Sequence, residues 1–479
     1  MRKIFSVIGL ALLALIVIVL VRTFIFTKEI AHTKAVALAP LEEGAIDHLS
    51  AAIQIKTIST EINKPIDTAT FLAFRNFLDT TYPLIHQQLE KIVIDSFSYI
   101  YHWKGSKTSL KPYFFLAHSD VVPVEISSIA LWHAEPFAGA IKDSAIWGRG
   151  SFDDKGSLIA IMETVEHLLQ ANYKPERDIY LCFGHDEELG GEKGGQAIAK
   201  WFKEKNIHAA LAMDEGGIIT KENFPDLQRP IALLGVSEKG YASFELTVEK
   251  EGGHSSMPEK ETAIDILSKA VVKLREEQMP VHIAEPTNVM LEKIGPGLGF
   301  ITRMALANRW LFNGLLVSQF EKSKGTNASI HTTIVPTILS AGIKDNVIPT
   351  VAKATVNSRI MPGETAADVM TFIKQKINDD RIKITKLPFG GDPGKITSME
   401  SPEYKKAAAT MYSLLDDVVP VPFLMIGATD SRYYEDVADA IVKFLPAIDP
   451  KGFHGIDERL PFTDYNRMIN FYTKMITEK

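Results

Sequence analysis

One cysteine in 479 residues leaves no partner for an intramolecular disulfide, so no covalent staple can contribute to this fold. The thiol, Cys182, stands in the apolar run IYLCFG and reads as a buried core residue. Its solitude does not exclude an extracytoplasmic location, because many large exported proteins lack disulfides. Clustered positive charge is missing too. Lys and Arg number 52 against 59 Asp and Glu, for a net charge of -7 and a pI near 6.0. No Lys/Arg-rich tract occurs, which excludes nucleic acid as an expected partner. There is no internal repeat and no low-complexity tract, so neither a solenoid nor a disordered tail is indicated.

Long uncharged apolar runs are absent except for one. Arg2 and Lys3 precede a run from Ile4 to Val21, Arg22 interrupts it, and Thr23 to Phe26 continue it weakly. That length approaches the ~18–20 residues a helix needs to cross a bilayer. It exceeds the ~7–15 residues of a cleaved signal core. Residues 1–27 therefore read as a signal anchor, a transmembrane helix. The basic pair in front keeps the N-terminus cytoplasmic and puts the body outside. The alternative is cleavage in the small-residue stretch around Ala35–Ala37, which releases a secreted protein.

The remainder is long enough for two domains. An amphipathic helix is expected around Ala45, Leu49, Ile53 and Ile55, and another over 69–80. Strands are expected over 91–101, 113–118, 178–184 and 208–213, with helices over 156–170 and 194–203. This alternation predicts an α/β domain with a mostly parallel sheet flanked by helices. The pattern then changes. Strands at 242–250, 351–360 and 382–387, each with one apolar face, and helices at 263–276 and 366–378 predict a small inserted α+β domain. The boundaries are 28–237 for the first part of the catalytic domain, 238–395 for the insertion and 396–479 for the return. The return carries a helix over 404–415 and a strand over 419–426. An extra segment near 286–325 reads as a helical insert packed on its own domain, with a membrane-touching role or a lid role as the alternatives. Asn327-Ala-Ser329 matches a glycosylation sequon.

Five metal-ligand candidates arrive mostly at the ends of these strands: His118 in FLAHSD, Asp153 in GRGSFDDKG, Glu188 in GHDEELGG, Asp214 in LAMDEGG and His454 in GFHGIDERL. Two imidazoles and three carboxylates suit two zinc ions that share a bridging carboxylate. Sites in such sheets form beyond the carboxyl ends of the strands. Asp120 lies two residues after His118, where it can orient the imidazole through its other nitrogen. Spacing alone does not decide whether Asp153 or Asp154 bridges. Either would otherwise serve as an ordinary helix N-cap. Glu187, beside Glu188, is spare and suits a general base. Taken singly, each acid pair is an ordinary turn and His454 an ordinary loop histidine. Their appearance in order, on one α/β pattern, reads as a hydrolase.

The blocks HSD, WHAEPF to GRGSFDDKG, DEELGG, DEGG, GGHSSMP, NVIP, SRIMPGET, ATDSR and HGIDER resemble the zinc metallopeptidase family of aminoacylase, acetylornithine deacetylase and succinyl-diaminopimelate desuccinylase. They look most like its carboxypeptidase S (Gly-Xaa carboxypeptidase) branch, which also holds a secreted N-fatty-acyl-amino-acid hydrolase. The resemblance runs from about residue 45 to the end. It implies a zinc exopeptidase-like fold with a ferredoxin-like lid or dimerisation domain. It implies that Asp153 bridges two zinc ions, that His118 and Asp214 complete one, and that Glu188 and His454 complete the other. Glu187 would be the general acid/base and Asp120 the orienting acid. His254 would polarise the scissile carbonyl, and Asn346 and Arg359 would hold the substrate, an Arg fork suiting a free carboxylate. A cis peptide just after Asp153 is also implied. The long insert departs from the shorter members and weighs against their usual homodimer.

The expected activity is zinc-dependent hydrolysis of the amide next to a C-terminal amino acid in short peptides. The alternative is an N-acyl, including N-fatty-acyl, amino acid amidohydrolase. A remote alternative is an inactive membrane-anchored binding protein.

Overall fold

A computed structural model describes residues 2–27, 30, 32–60, 66–222, 227 and 229–478. The chain forms two compact units. One gathers the N-terminal helix, Ser237–Ile396 and Leu424–Ala428. The other holds the chain from there to Val236, Thr397–Phe423 and the segment from Thr429 onward.

The larger unit is built on a sheet whose four central strands are parallel: Ile179–Gly184, Tyr113–His118, Ala209–Asp214 and Ala438–Lys443. All six residues of each of the first three are buried. A parallel strand covered by helices on both faces has no wet side, so its sequence is continuously apolar. Ile231–Glu238, also buried throughout, pairs antiparallel with the last of the four. Sequence periodicity gave no sign of this strand, because burial on both faces removes the alternation that marks a half-exposed strand.

The stretch expected as one strand over 91–101 is instead a hairpin, Glu90–Ile94 paired with Ser98–Trp103. Asp95 and Ser96 turn the chain with φ of 42° and 73°. Ile94 lies opposite Ser98, so the loop is the three residues Asp95, Ser96 and Phe97, a common hairpin length that uses a positive φ. Asp tolerates that conformation through its short polar side chain, but Asp-Ser is a weaker signal than Asn-Gly.

On one face of the sheet Phe114 stacks on Phe202 at 4.0 Å between ring centroids, with Tyr180 and Tyr434 edge-on. Cys182 is buried in this cluster. Truncating such a ring costs ~3–5 kcal/mol. The helix Lys155–Gln170 packs against Tyr113–His118 and against the C-terminal helix Phe462–Thr477. Its apolar side is Leu158, Ile161, Met162, Val165, Leu168 and Leu169. Its polar side is buried as well. Glu163 accepts from the Tyr82 hydroxyl at 2.7 Å and meets His48. Glu166 accepts the backbone N–H groups of Leu84 and Ile85. These partners compensate the desolvation of two carboxylates.

The smaller unit holds a four-stranded antiparallel sheet in the order Thr333–Ala341, Val351–Ile360, Gly240–Glu249, Ile382–Gly391. With the helices Ala263–Glu276 and Ala366–Ile377 this is the βαββαβ arrangement of a ferredoxin-like fold. Both helices begin with a reciprocal cap, Thr262 with Asp265 and Thr365 with Asp368. Each such cap satisfies two orphan donors of the first turn. The second helix ends at Asn378 in the left-handed region, a residue type that fits that position. Phe244, Leu246 and Val248 point into the core with Ile266, Leu267, Val369 and Ile373.

Four helices fill the extra segment: Glu285–Ile294, Phe300–Ala307, Arg309–Phe320 and Lys324–Ala328. The N-terminal helix Arg2–Ile25 has a length and composition that suffice to cross a membrane, and it is almost wholly exposed.

Candidate metal centre

Three neighbouring parallel strands deliver acidic or imidazole groups at the same edge of the sheet. In the ladder His118 lies opposite Gly184. The turn after Gly184 carries Asp186, Glu187 and Glu188. The next strand ends at Asp214, followed by Glu215. Asp153 comes from the loop that opens the helix Lys155–Gln170. His454 comes from the loop after Ala438–Lys443, with φ of 51°, and its ring stacks on Phe453.

Asp153 stands between the two histidines. Its Oδ1 lies 3.0 Å from Nε2 of His118, and its Oδ2 lies 2.8 Å from Nε2 of His454. Each oxygen thus faces a different imidazole, which is what a carboxylate shared by two cations requires. The peptide between Asp153 and Asp154 is cis. Asp154 does not face both rings. It accepts from the backbone nitrogen of His118 at 3.2 Å and from the Ser157 hydroxyl.

On the His454 side, Glu188 Oε1 lies 3.3 Å from Nε2. Asp153 and Glu188 together push the His454 imidazolium up to about 10, with burial opposing. Burial raises Glu188 above the usual carboxylate range, and His454 opposes that rise. On the His118 side, the carboxylate that reaches the imidazole from the DEGG block is Glu215, at 3.3 Å from Nε2. Asp214 instead accepts from the backbone nitrogens of Ser431 at 2.8 Å and Glu215 at 3.0 Å. Burial, with Asp153 close by, pushes Glu215 up to about 8. The ligating atoms of His118, Asp153 and Glu188 form one group within 4.8 Å of each other, and those of His118, Asp154 and Glu215 form another. Imidazole and carboxylate donors packed this tightly suit borderline cations such as zinc. Without a cation, so many buried carboxylates must take up protons.

Asp120 ties the pieces together. It is fully buried, and its carboxylate accepts the backbone N–H groups of Glu187 and Glu188 and the Ser59 hydroxyl. It also lies 3.3 Å from Nδ1 of His118. Burial alone would raise its pKa, but these partners, His118 first among them, hold it below the usual range. Glu187 is raised well above the ordinary carboxylate value by burial, with Asp430, Glu215 and Glu188 adding to the rise and His118 opposing it.

His254, Asn346 and Arg359 lie on the smaller unit. His254 sits opposite Val347 in a short two-stranded ladder, and the Ser255 nitrogen donates to the Asn346 carbonyl at 3.2 Å. His254 is exposed, and its Nδ1 accepts from the Ser256 backbone nitrogen at 3.2 Å. A neutral imidazole that accepts at Nδ1 carries its proton on Nε2. Arg359 stacks over the Tyr241 ring at 4.8 Å.

Three further residues of the site escaped the motif reading, although each lies inside a quoted block. Glu458 of HGIDER is buried and accepts through Oε1 from the backbone nitrogens of Gly150, Phe152 and Asp153. Arg149 of the GRG turn pairs with its other oxygen and donates to the Gly455 carbonyl. Asp430 of ATDSR fills a cradle of glycines, and burial pushes it up to about 8. A Cβ on Gly191, whose φ is +70°, would stand 1.8 Å from its Oδ1. Closeness in sequence to a candidate ligand could have found Arg149, four residues before Asp153, and Glu458, four after His454; Asp430 carries no such signal.

Comparison with known proteins identifies the family. Residues 114–478 match the model of peptidase family M20/M25/M40. The chain is 37% identical over 441 residues to a probable carboxypeptidase S-like protein of Dictyostelium discoideum, covering 90% of this chain and 84% of the relative. It is 35% identical over 437 residues to the N-fatty-acyl-amino acid synthase/hydrolase of Homo sapiens, covering 89% and 86%. Its fold is similar to that of an M20 family metallo-carboxypeptidase from Sulfolobus solfataricus, with a TM-score of 0.66 at 17% identity over 91% of this chain and 99% of that one. The chain belongs to peptidase family M20/M25/M40 and is a metallohydrolase of that family.

Proposed function

We propose that the protein hydrolyses the amide bond next to a C-terminal amino acid in short peptides, with two zinc ions bridged by Asp153. The observation that carries this reading is the Asp153 carboxylate, turned to His118 through one oxygen and to His454 through the other, with Glu187 on the neighbouring turn. His118, Asp153 and an acid of the DEGG block would hold one cation; His454, Glu188 and Asp153 would hold the other. The geometry favours Glu215 over Asp214 as that acid, because the Asp214 carboxylate receives two backbone amides. When bound, zinc polarises a carbonyl and acidifies an attacking water.

The chain's own residues do the rest. Glu187 takes the proton of the attacking water and returns it to the leaving amine. Its raised proton affinity suits both tasks. Asp120 fixes the backbone of Glu187 and the ring of His118 at once. The smaller unit supplies substrate-holding groups. Nε2–H of His254 donates to the scissile carbonyl oxygen, and Arg359 with Asn346 takes the free carboxylate. We assign the N-terminal helix as a membrane anchor, with the catalytic body on the extracytoplasmic side.

A second reading, N-acyl amino acid hydrolysis, is favoured by the N-fatty-acyl-amino acid synthase/hydrolase relatives. Both reactions break the same amide and differ in the acyl side. Amino-acid release is to be measured from Gly-Xaa dipeptides and from N-acyl amino acids of graded chain length, with chelator and then with added zinc. Zinc-restored release from dipeptides is expected. Preference for long acyl chains would move the assignment to the second reading. No release with zinc bound would overturn both.

A further inference from the structure

Water is a poor solvent for the helix Arg309–Phe320. After Arg309 its sequence, WLFNGLLVSQF, carries no charged residue. Leu316 is the only one of its residues that is buried. Trp310 is 58% exposed, and Leu311 and Leu315 are exposed with it. The preceding helix, Phe300–Ala307, adds exposed Phe300 and Ile301, the latter at 71%. A helix apolar nearly all round is expected inside a protein core or in a membrane, and contiguous exposed apolar surface marks an interaction site.

The same two helices grip the end of the N-terminal helix. Asn308, buried between them, donates through its side-chain amide to the Val19 carbonyl and the Thr23 hydroxyl, both at 3.2 Å. Arg22 donates to the Ala307 carbonyl at 3.2 Å. Val19 and Thr23 are the buried residues of that otherwise exposed helix. The apolar surfaces join at Phe24, whose exposed ring lies 6.3 Å from that of Phe300.

We infer that this pair of helices lies in the outer leaflet of the membrane that the N-terminal helix crosses, its exposed side chains in contact with lipid. The inference rests on the anchor reading given above. With Arg2 and Lys3 at the cytoplasmic end, residues 19–26 fall at the opposite boundary of the bilayer, since a helix of this length spans about the hydrocarbon thickness. Whatever packs on those residues is held at that boundary. Trp310 is the residue type enriched at this depth, and the exposed apolar face of the pair fits interfacial burial. The occupant is therefore bilayer lipid, reached because the anchor places the face there.

The buried Cys182 makes a labelling test selective. The full-length chain carrying Leu315→Cys, or Lys200→Cys as a solvent control, is labelled with an environment-sensitive fluorophore. It is then reconstituted into phosphatidylcholine vesicles containing doxyl-labelled phosphatidylcholine. Co-flotation with vesicles reports the anchor. Quenching by doxyl lipid reports the face. The expected result is flotation of both variants with quenching at position 315 alone. Flotation without quenching at 315 overturns the inference while leaving the anchor standing. Failure to float removes the anchor reading and the inference with it. Disulfide cross-linking between copies of unlabelled Leu315→Cys would show that a second chain covers the face, which also overturns it.

Discussion

The Glu458 carboxylate accepts the backbone N–H of Asp153 at 3.1 Å, and Arg149, paired to its other oxygen, reaches the carbonyl beside His454. The loop that bears Asp153 and the loop that bears His454 therefore have one common anchor. Glu458→Ala is expected to weaken metal binding ~10–100-fold, the usual loss when a group supporting a metal ligand is removed. Glu458→Gln should lose less, because its amide oxygen still accepts. Zinc titration against a competing chelator measures both.

Glu187→Gln should keep its metal and lose turnover by at least ~10²–10⁴-fold, since the proton-transfer group alone is removed. Metal content and kcat are to be read on the same preparation. Near-native kcat would exclude Glu187 as the base.

Glu215→Ala and Asp214→Ala separate the two acids of the DEGG block. If Glu215 faces a cation next to His118, its variant binds about one metal fewer per chain. Asp214→Ala is expected to keep the metal count and instead to free the Ser431 backbone that it holds. Metal analysis by mass spectrometry decides, and loss of metal on Asp214→Ala alone would make Asp214 the ligand.

Metal-free protein should lose stability as pH rises. Burial lifts Glu215 from 4.5 to about 8, so between those values the folded chain holds a proton that the unfolded chain has released. His454, lifted from 6.5 to about 10 by Asp153 and Glu188, does the same over its own window. In both windows the native state binds more protons, so unfolding becomes easier with increasing pH. Tm in chelator is expected to fall from pH 6 to pH 9. Zinc addition at pH 7.5 should release protons, because ligands must be deprotonated to bind. Calorimetry in buffers of different ionisation enthalpy measures that release.

Gly191→Ala should destabilise the catalytic unit by at least ~2 kcal/mol, through a forced displacement of Asp430 and a strained positive φ. Thermal unfolding checks this, and an unchanged Tm would mean that the cradle gives way freely.

Elements with one wet face were legible residue by residue. Ala263–Glu276 and Val351–Ile360 have the same bounds in the structure as in the periodicity, because water on one side imposes the pattern. Ile231–Glu238 was hidden for the opposite reason, and the Asp95-Ser96 turn because neither residue demands positive φ. In the site, His118, Glu188 and Asp214 stood out as candidates because they lie at or just after strand ends. Glu458, Arg149 and Asp430 did not, since they act on backbone and shape rather than on the reaction. The choice between Asp214 and Glu215 depends on where the chain turns after the strand, which spacing does not encode.

Lys443 pairs with Asp214, yet Ser237–Ile396 of the smaller unit intervenes between them in sequence, and His454 follows later still. A ribosome therefore releases the first donors long before the last. Until the strand Ala438–Lys443 and the loop after it have docked, the nascent chain offers half of the candidate donor set, with an acidic cluster facing an absent imidazole. A centre that draws on both His118 and His454 is therefore complete only after residue 454 has been made and its loop has folded back onto the sheet.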